Sequence, residues 1–314
     1  MGANGFRGVR RMNKLPVFKT VGQVFGFVVE RRFFTLLRLI WFPALLSVFA
    51  GVGPAIYQFQ KLGVDPKPEA VFVLYGDPTY QVLSLINIIA SFFLSAVIAV
   101  CVHRLIFFED TRPGTYFYLR ITGDEWRYML AFVLFTLLTL IAFAIPVAAH
   151  AAVVFGQELK GQPFDPSMMK SLMEDPRTWI AFGLGMFFSL IATVRFGLAF
   201  PAIVAEGRLS FARSWQLTRG NFWRLLGFWF LVYVLAVILI VVLVAVLAFA
   251  VAAMVGAVLL GGQTVGALGI IIFAVPAAVS LLVYIVFGIT IFIAALSFSY
   301  KALAGPLPPT EAFE

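Results

Sequence analysis

Long uncharged runs, separated by short charged clusters, set the pattern of this chain. Residues 39–60 carry no charge between Arg38 and Lys61, residues 78–103 none between Asp77 and Arg104, and residues 128–157 none between Arg127 and Glu158. Residues 178–205 hold one charge, Arg195, and residues 225–300 hold none between Arg224 and Lys301. A helix needs about 20 mostly apolar residues to cross the hydrocarbon of a bilayer. Each of the first four runs therefore supplies one span. The fifth is too long for a single crossing, and Gly256, Gly261, Gly262, Gly266 and Gly269 divide it, with Gly261-Gly262-Gln263-Thr264 as the turn. The pattern predicts an all-α polytopic membrane protein with six transmembrane helices arranged as three hairpins.

Ahead of the first run the period changes. Phe18, Val21, Phe25 and Val28 follow a 3-4-3 spacing, with Val17 and Val24 beside them and Lys19, Thr20 and Gln23 opposite. This spacing predicts an amphipathic helix lying in the membrane interface on the cytoplasmic side. A second interfacial helix is expected after Ser210, which is placed to cap it, with Phe211 and Trp215 one turn apart. Three stretches look alike: Arg32-Phe33-Phe34-Thr35-Leu36-Leu37, Asn221-Phe222-Trp223-Arg224-Leu225-Leu226 and, more weakly, Trp126-Arg127-Tyr128-Met129-Leu130. Each opens an outward-going span, so the chain reads as an internal repeat of three units, a common construction in membrane folds. Residues 1–38 form a basic N-terminal tail with the amphipathic helix, residues 39–304 a six-helix membrane domain, and residues 305–314 a short cytoplasmic tail. The basic region before the first apolar run is too long for a cleavable signal peptide, so that run is expected to remain as a span.

Composition agrees and adds orientation. Only 12% of residues are charged, against about 25% in soluble domains, too few to cover an exterior for water. The formal charge is +8, and its placement gives it meaning. With the N-terminus inside, 18 of the 23 Lys and Arg residues fall on cytoplasmic segments, whereas acidic residues divide 8 to 7. Basic residues are retained on the cytoplasmic side, which predicts both termini there. They lie in short loops at span ends, where anionic headgroups attract each by about 1 kcal/mol. The expected partners are therefore membrane lipids, anionic ones included, and a membrane or cytoplasmic protein. No long basic tail is available to hold nucleic acid. One cysteine, Cys101, excludes an intramolecular disulfide and a thiolate metal cluster. The two histidines are His103 and His150, and neither is placed to make a metal pair, so no cofactor, metal or catalytic residue is expected.

The segment Pro201-Ala-Ile-Val-Ala-Glu206-Gly, followed by Ser210-Phe-Ala-Arg213-Ser214-Trp215-Gln-Leu-Thr-Arg219-Gly-Asn-Phe-Trp223-Arg-Leu-Leu, carries a family likeness. It resembles the membrane domain found beside some glycerophosphodiester phosphodiesterases, and bacterial multi-pass proteins that share it. The resemblance implies a six-helix domain in the bacterial inner membrane. It does not bring phosphodiesterase activity, which in that family belongs to a separate soluble barrel with its own His, Glu and Asp residues. The candidate lipid-contact or structural residues are Arg195, Glu206, Arg213, Ser214, Trp215, Arg219 and Trp223. Arg195 lies about 24 Å along its helix from Trp179, and a charge within a span is costly unless it snorkels, pairs or meets a lipid phosphate. Glu206, the one acid among the surrounding arginines, reads as a local counter-ion. On the second span Ser84, Asn87, Ser91 and Ser95 share a face, as interhelical packing requires.

These observations predict a non-enzymatic integral membrane protein that contacts lipids or partner proteins through a basic, aromatic cytoplasmic face. The alternative is a transporter or channel for a small or lipid-like solute. Ion-coupled transport calls for acidic groups within the spans, and here the acids lie in loops or near helix ends. Enzymatic catalysis calls for an acid, base or metal constellation, which the sequence lacks.

Overall fold

The structure, a computed structural model, describes residues 13–63, 68–110, 115–119, 121–158, 174–260 and 285–305. Every element among them is helical. Helix α1 (Val17–Phe25) continues through a π-helical turn (Gly26–Arg31) and breaks at Arg32 before α2 (Phe33–Leu62). A short α3 (Pro68–Tyr75) precedes α4 (Pro78–Phe108) and α5 (Gly123–Glu158). Helix α6 (Pro176–Phe196) passes through Gly197-Leu198 into α7 (Ala199–Glu206). Then come α8 (Phe211–Thr218), α9 (Phe222–Leu260) and, after a π-helical turn (Ile285–Ile289), α10 (Thr290–Ala304).

Six helices are long and apolar enough to cross a membrane: Phe33–Leu62, Pro78–Phe108, Gly123–Val154, Pro176–Glu206, Phe222–Val246 and Phe287–Ala304. Four coincide with the first four runs and two stand at the ends of the fifth, each beginning or ending beyond its run. A charged residue ends a run of apolar letters without ending a helix, because a long Arg or Lys stem can lie along the apolar surface while its head reaches water. Gly256 does not break its helix, which continues to Leu260. The turn at Gly261-Gly262-Gln263-Thr264, like Gly266 and Gly269, lies outside the described residues.

Helix starts follow local chemistry. Asp77 and Asp175 each precede a proline at the first helical position and accept the backbone N–H two residues on, from Thr79 at 2.8 Å and Arg177 at 2.8 Å. Proline is suited to that position because its missing N–H would be unpaired there anyway. Asp77 also accepts the Tyr57 hydroxyl at 2.9 Å, tying the end of α2 to the start of α4. That hydrogen bond is the main reason its carboxyl sits below the usual carboxylate range. At α5, Glu125 accepts the Thr122 backbone N–H at 2.7 Å and also its hydroxyl. The Thr122 hydroxyl in turn faces the Asp124 N–H at 3.4 Å, so Thr122-x-x-Glu125 forms a capping box.

Helix α2 packs along α4, α5 along α6, and α10 along α4 and α1. The buried core gathers towards one end of the bundle: Leu36 to Ala44 on α2, Leu94 to Phe107 on α4, most of α7, and Thr290 to Leu303 on α10. Towards the other end large apolar side chains such as Ile86, Ile145 and Phe187 stay more than half exposed. In water such a surface would be untenable; against acyl chains it costs nothing. Fully buried His103 joins three helices, with Nδ1 2.6 Å from the Ser297 hydroxyl on α10 and Nε2 3.4 Å from the Tyr128 hydroxyl on α5. Ser297 donates to the Ile293 carbonyl at 2.9 Å, which leaves the Nδ1–H to donate to Ser297. His150 meets the Thr178 hydroxyl at 3.0 Å. On α4, the Ser91 hydroxyl donates to Asn87 at 3.3 Å. The same Asn87 oxygen lies 3.8 Å from where a side chain on Gly51 of α2 would begin, which is the packing use of that polar face.

The N-terminal helix differs from expectation in its facing. Val21, Val24 and Val28 are buried as expected, but so is Thr20, whose hydroxyl donates to the Pro16 carbonyl at 2.9 Å, and Phe18 is 83% exposed. The wide π-helical turn carries Phe27 to the buried side, where its ring meets Phe298 edge-on at 5.7 Å. Asn13 lies beside Gly305, Phe27 beside Phe298, and Phe33 beside Phe287. The segment thus runs along α10 in the opposite direction.

Candidate functional site

Five of the seven candidate residues, Arg195, Glu206, Arg213, Ser214 and Trp215, gather where α6, α7, α8 and α10 end and α9 begins. Helix α7 is buried from Ala199 to Ala205 and stops at Gly207, whose φ of 66° is the left-handed conformation favoured after a helix C-terminus. That stop places Glu206 at the rim of the core. The chain then reverses, and Ser210 accepts the Arg213 backbone N–H at 3.2 Å, capping α8 as its position in the sequence predicts.

Glu206 is a hub. One oxygen accepts the Tyr300 hydroxyl at 2.5 Å and Arg213 Nε at 2.9 Å; the other accepts Arg208 at 3.1 and 3.3 Å. Tyr300 is fully buried on α10, so a single carboxylate connects the fourth span, α8 and the sixth span. Burial works against the charge of Arg213, but the hydrogen bond and charge of Glu206 outweigh it and hold the guanidinium pKa above its ordinary value.

Arg195 forms the second cluster. Its guanidinium carbon lies 4.7 Å from the Trp215 ring centroid and 5.2 Å from that of Phe222. Its backbone carbonyl accepts the Ser214 hydroxyl at 2.7 Å and faces the Thr218 hydroxyl at 3.5 Å. Phe196 adds ring contacts to Phe211 at 5.9 Å and Trp215 at 5.6 Å. The charge is therefore met by aromatic faces rather than acyl chains, each face contributing about 0.5–2 kcal/mol depending on desolvation. An Arg195→Leu variant should insert normally and melt as though weakened by about 1–2 kcal/mol. Thermal unfolding in detergent measures this, and a melting curve identical to the parent's would mean that the ring contacts contribute nothing.

Two predicted residues stand apart. Arg219 closes α8 through its backbone while its side chain is exposed, and Trp223 is 76% exposed on the first turn of α9. Sequence reasoning missed Tyr300, Thr218 and Phe222, and it also missed Asn221. That buried amide accepts the Leu15 N–H at 3.2 Å and donates to the Asn13 carbonyl at 3.0 Å, while Arg224 donates to the Leu15 carbonyl at 3.3 Å. The N-terminal segment is thereby docked beside the two clusters. Both clusters, Asn221 and α10 lie in one stretch of sequence. Residues 167–305 match the family described as the membrane domain of glycerophosphoryl diester phosphodiesterase. No curated protein and no solved structure matches the chain. The matched membrane domain takes in the last three spans and all seven candidate residues. The Asn13, Leu15 and α1 contacts join it to sequence outside the match.

Proposed function

We propose that this is a non-enzymatic membrane protein of the bacterial inner membrane whose arginine- and lysine-rich end faces the cytoplasm and contacts anionic lipid or a protein partner. The observation that carries this reading is the pairing, at that end, of aromatic side chains left uncovered by the protein with basic side chains left unpaired. Phe18 precedes Lys19 on α1, and Trp223 follows Arg219 by one turn of sequence where α8 passes into α9; neither base has an acidic partner among the described residues. Aromatic rings favour headgroup depth and basic groups favour anionic lipid. Glu206 supports the non-enzymatic reading, since both its oxygens are filled by structural donors.

In nanodiscs of mixed phosphatidylglycerol and phosphatidylcholine, lipid co-purified with the protein should be enriched in phosphatidylglycerol, and added salt should reduce the enrichment. Equal recovery of both lipids at low salt would overturn lipid contact. For orientation, single cysteines at Lys67 and Lys170 in a Cys101→Ser background should react with an impermeant reagent from outside the cell. Reaction from the inside alone would reverse the topology.

A further inference from the structure

Beside α1 the surface opens into two adjoining clefts that share Lys19, Gln23 and Phe298. The first, of about 420 Å³, is polar and is lined by Asn13, Lys14, Lys19 and Lys301. The second, of about 590 Å³, is lined by Phe25, Phe27, Val29 and Phe298. Their order follows from the way α1 runs along α10. Asn13, Lys14 and Lys301 stand at the chain-end side, and Phe27 and Phe298 lie one turn further into the sixth span. Lys14, Lys19 and Lys301 line that first cleft with no carboxylate partner among the described residues, and the first turn of α1, with Pro16 at its N-cap, has no side-chain cap. A lysine-lined pocket that continues into a second cleft, walled by Phe25, Phe27, Val29 and Phe298 with Gly22 and Gly26 between them, matches one chemistry, an anionic headgroup attached to an acyl chain.

We infer that this bipartite cleft is a binding site for a single phosphate-bearing amphiphile, its phosphate held by Lys14, Lys19 and Lys301 and its chain laid along Phe27, Val29 and Phe298. The inference rests on the reading that the basic end contacts anionic lipid, and it narrows that reading to one seat. A free phosphate would need only the first cleft; an amphiphile needs both.

Native mass spectrometry of the whole protein in a neutral detergent tests this, titrating lysophosphatidylglycerol, lysophosphatidylcholine and inorganic phosphate separately. The parent protein should take up one lysophosphatidylglycerol, and the zwitterionic analogue should bind more weakly. Each lysine contributes roughly fivefold to affinity, so Lys19→Ala/Lys301→Ala should lose about 25-fold. Val29→Asn should weaken the lysolipid without changing phosphate binding. Unchanged affinity in the double lysine variant overturns the site, as does inorganic phosphate binding as well as the lysolipid. Loss on lysine substitution with none at Val29 overturns the chain-binding half. The nanodisc experiment separates the two levels: enrichment without a single tight adduct removes this seat and leaves the wider reading standing, whereas the absence of both enrichment and adduct removes both.

Discussion

Leucine at position 185 should keep α5 and α6 from closing and leave little monodisperse protein after detergent extraction. A side chain begun at Gly185 would stand 2.6 Å from the Phe143 carbonyl oxygen and 3.0 Å from its ring. The nearer atom is backbone, so no rotamer change can make room and the helices have to separate. Overpacking of a well-fitted contact costs about 1–3 kcal/mol, and leucine here should reach or exceed the upper figure, with alanine nearer the lower. The same helix supplies the control. Around Gly183 no atom lies within 4 Å of an added carbon, so Gly183→Leu should only extend a lipid-facing surface. Thermal unfolding followed by size-exclusion chromatography compares them directly. Were Gly185→Leu and Gly183→Leu to melt together, the close approach of α5 and α6 would be wrong.

The second large effect is expected at Glu206. Glu206→Ala leaves the buried Tyr300 hydroxyl and the half-buried Arg213 guanidinium without the acceptor they share. Hydrogen bonds to charged groups contribute about 1.5–3 kcal/mol, so the loss should be about 2–4 kcal/mol, and α8 should loosen from the bundle end. Arg208 also touches Glu206, but its side chain is 69% exposed, and exposed pairs contribute about 0–1 kcal/mol. Arg208→Ala should therefore melt with the parent protein. Glu206→Gln, which keeps an acceptor for Tyr300 and loses the charge for Arg213, should fall between them. Equal melting of Glu206→Ala and Arg208→Ala would refute the hub.

Legibility of this fold follows sequence separation. Runs almost free of charge mark the spans because a charge within the hydrocarbon is costly, and Ser210 announces its helix because a cap acts over three residues. The Thr122-x-x-Glu125 capping box was just as local and could have been found by the same rule. Arg195 stands out as a charge within a span, but the rings that receive it come from Trp215 and Phe222, and only a reversal of the chain after Gly207 brings them back. Tyr300 lies 94 residues from Glu206, and no periodicity connects them. Phe18 illustrates a different limit. Its place in an apolar stripe was plain, but the neighbouring helices decide which edge of the stripe is covered, and α10 covers the edge carrying Val21, Val24 and Val28.

The Asn221 amide also has a consequence in time. It fastens a backbone N–H that lies 206 residues earlier in the chain. At about 5–20 residues per second, a ribosome needs roughly 10–40 s to make the intervening segment. Through that interval four spans can enter the bilayer while α1 waits with its valine face uncovered, because α9 and α10, the helices it docks against, have not yet been made. A newly emerged helix of this kind has one apolar phase within reach, the surface of the membrane into which its own chain is being threaded. Its final berth on the bundle thus cannot close until α9 and α10 have been made, and a ribosome stalled before Asn221 would leave α1 without the partners that cover its valine face.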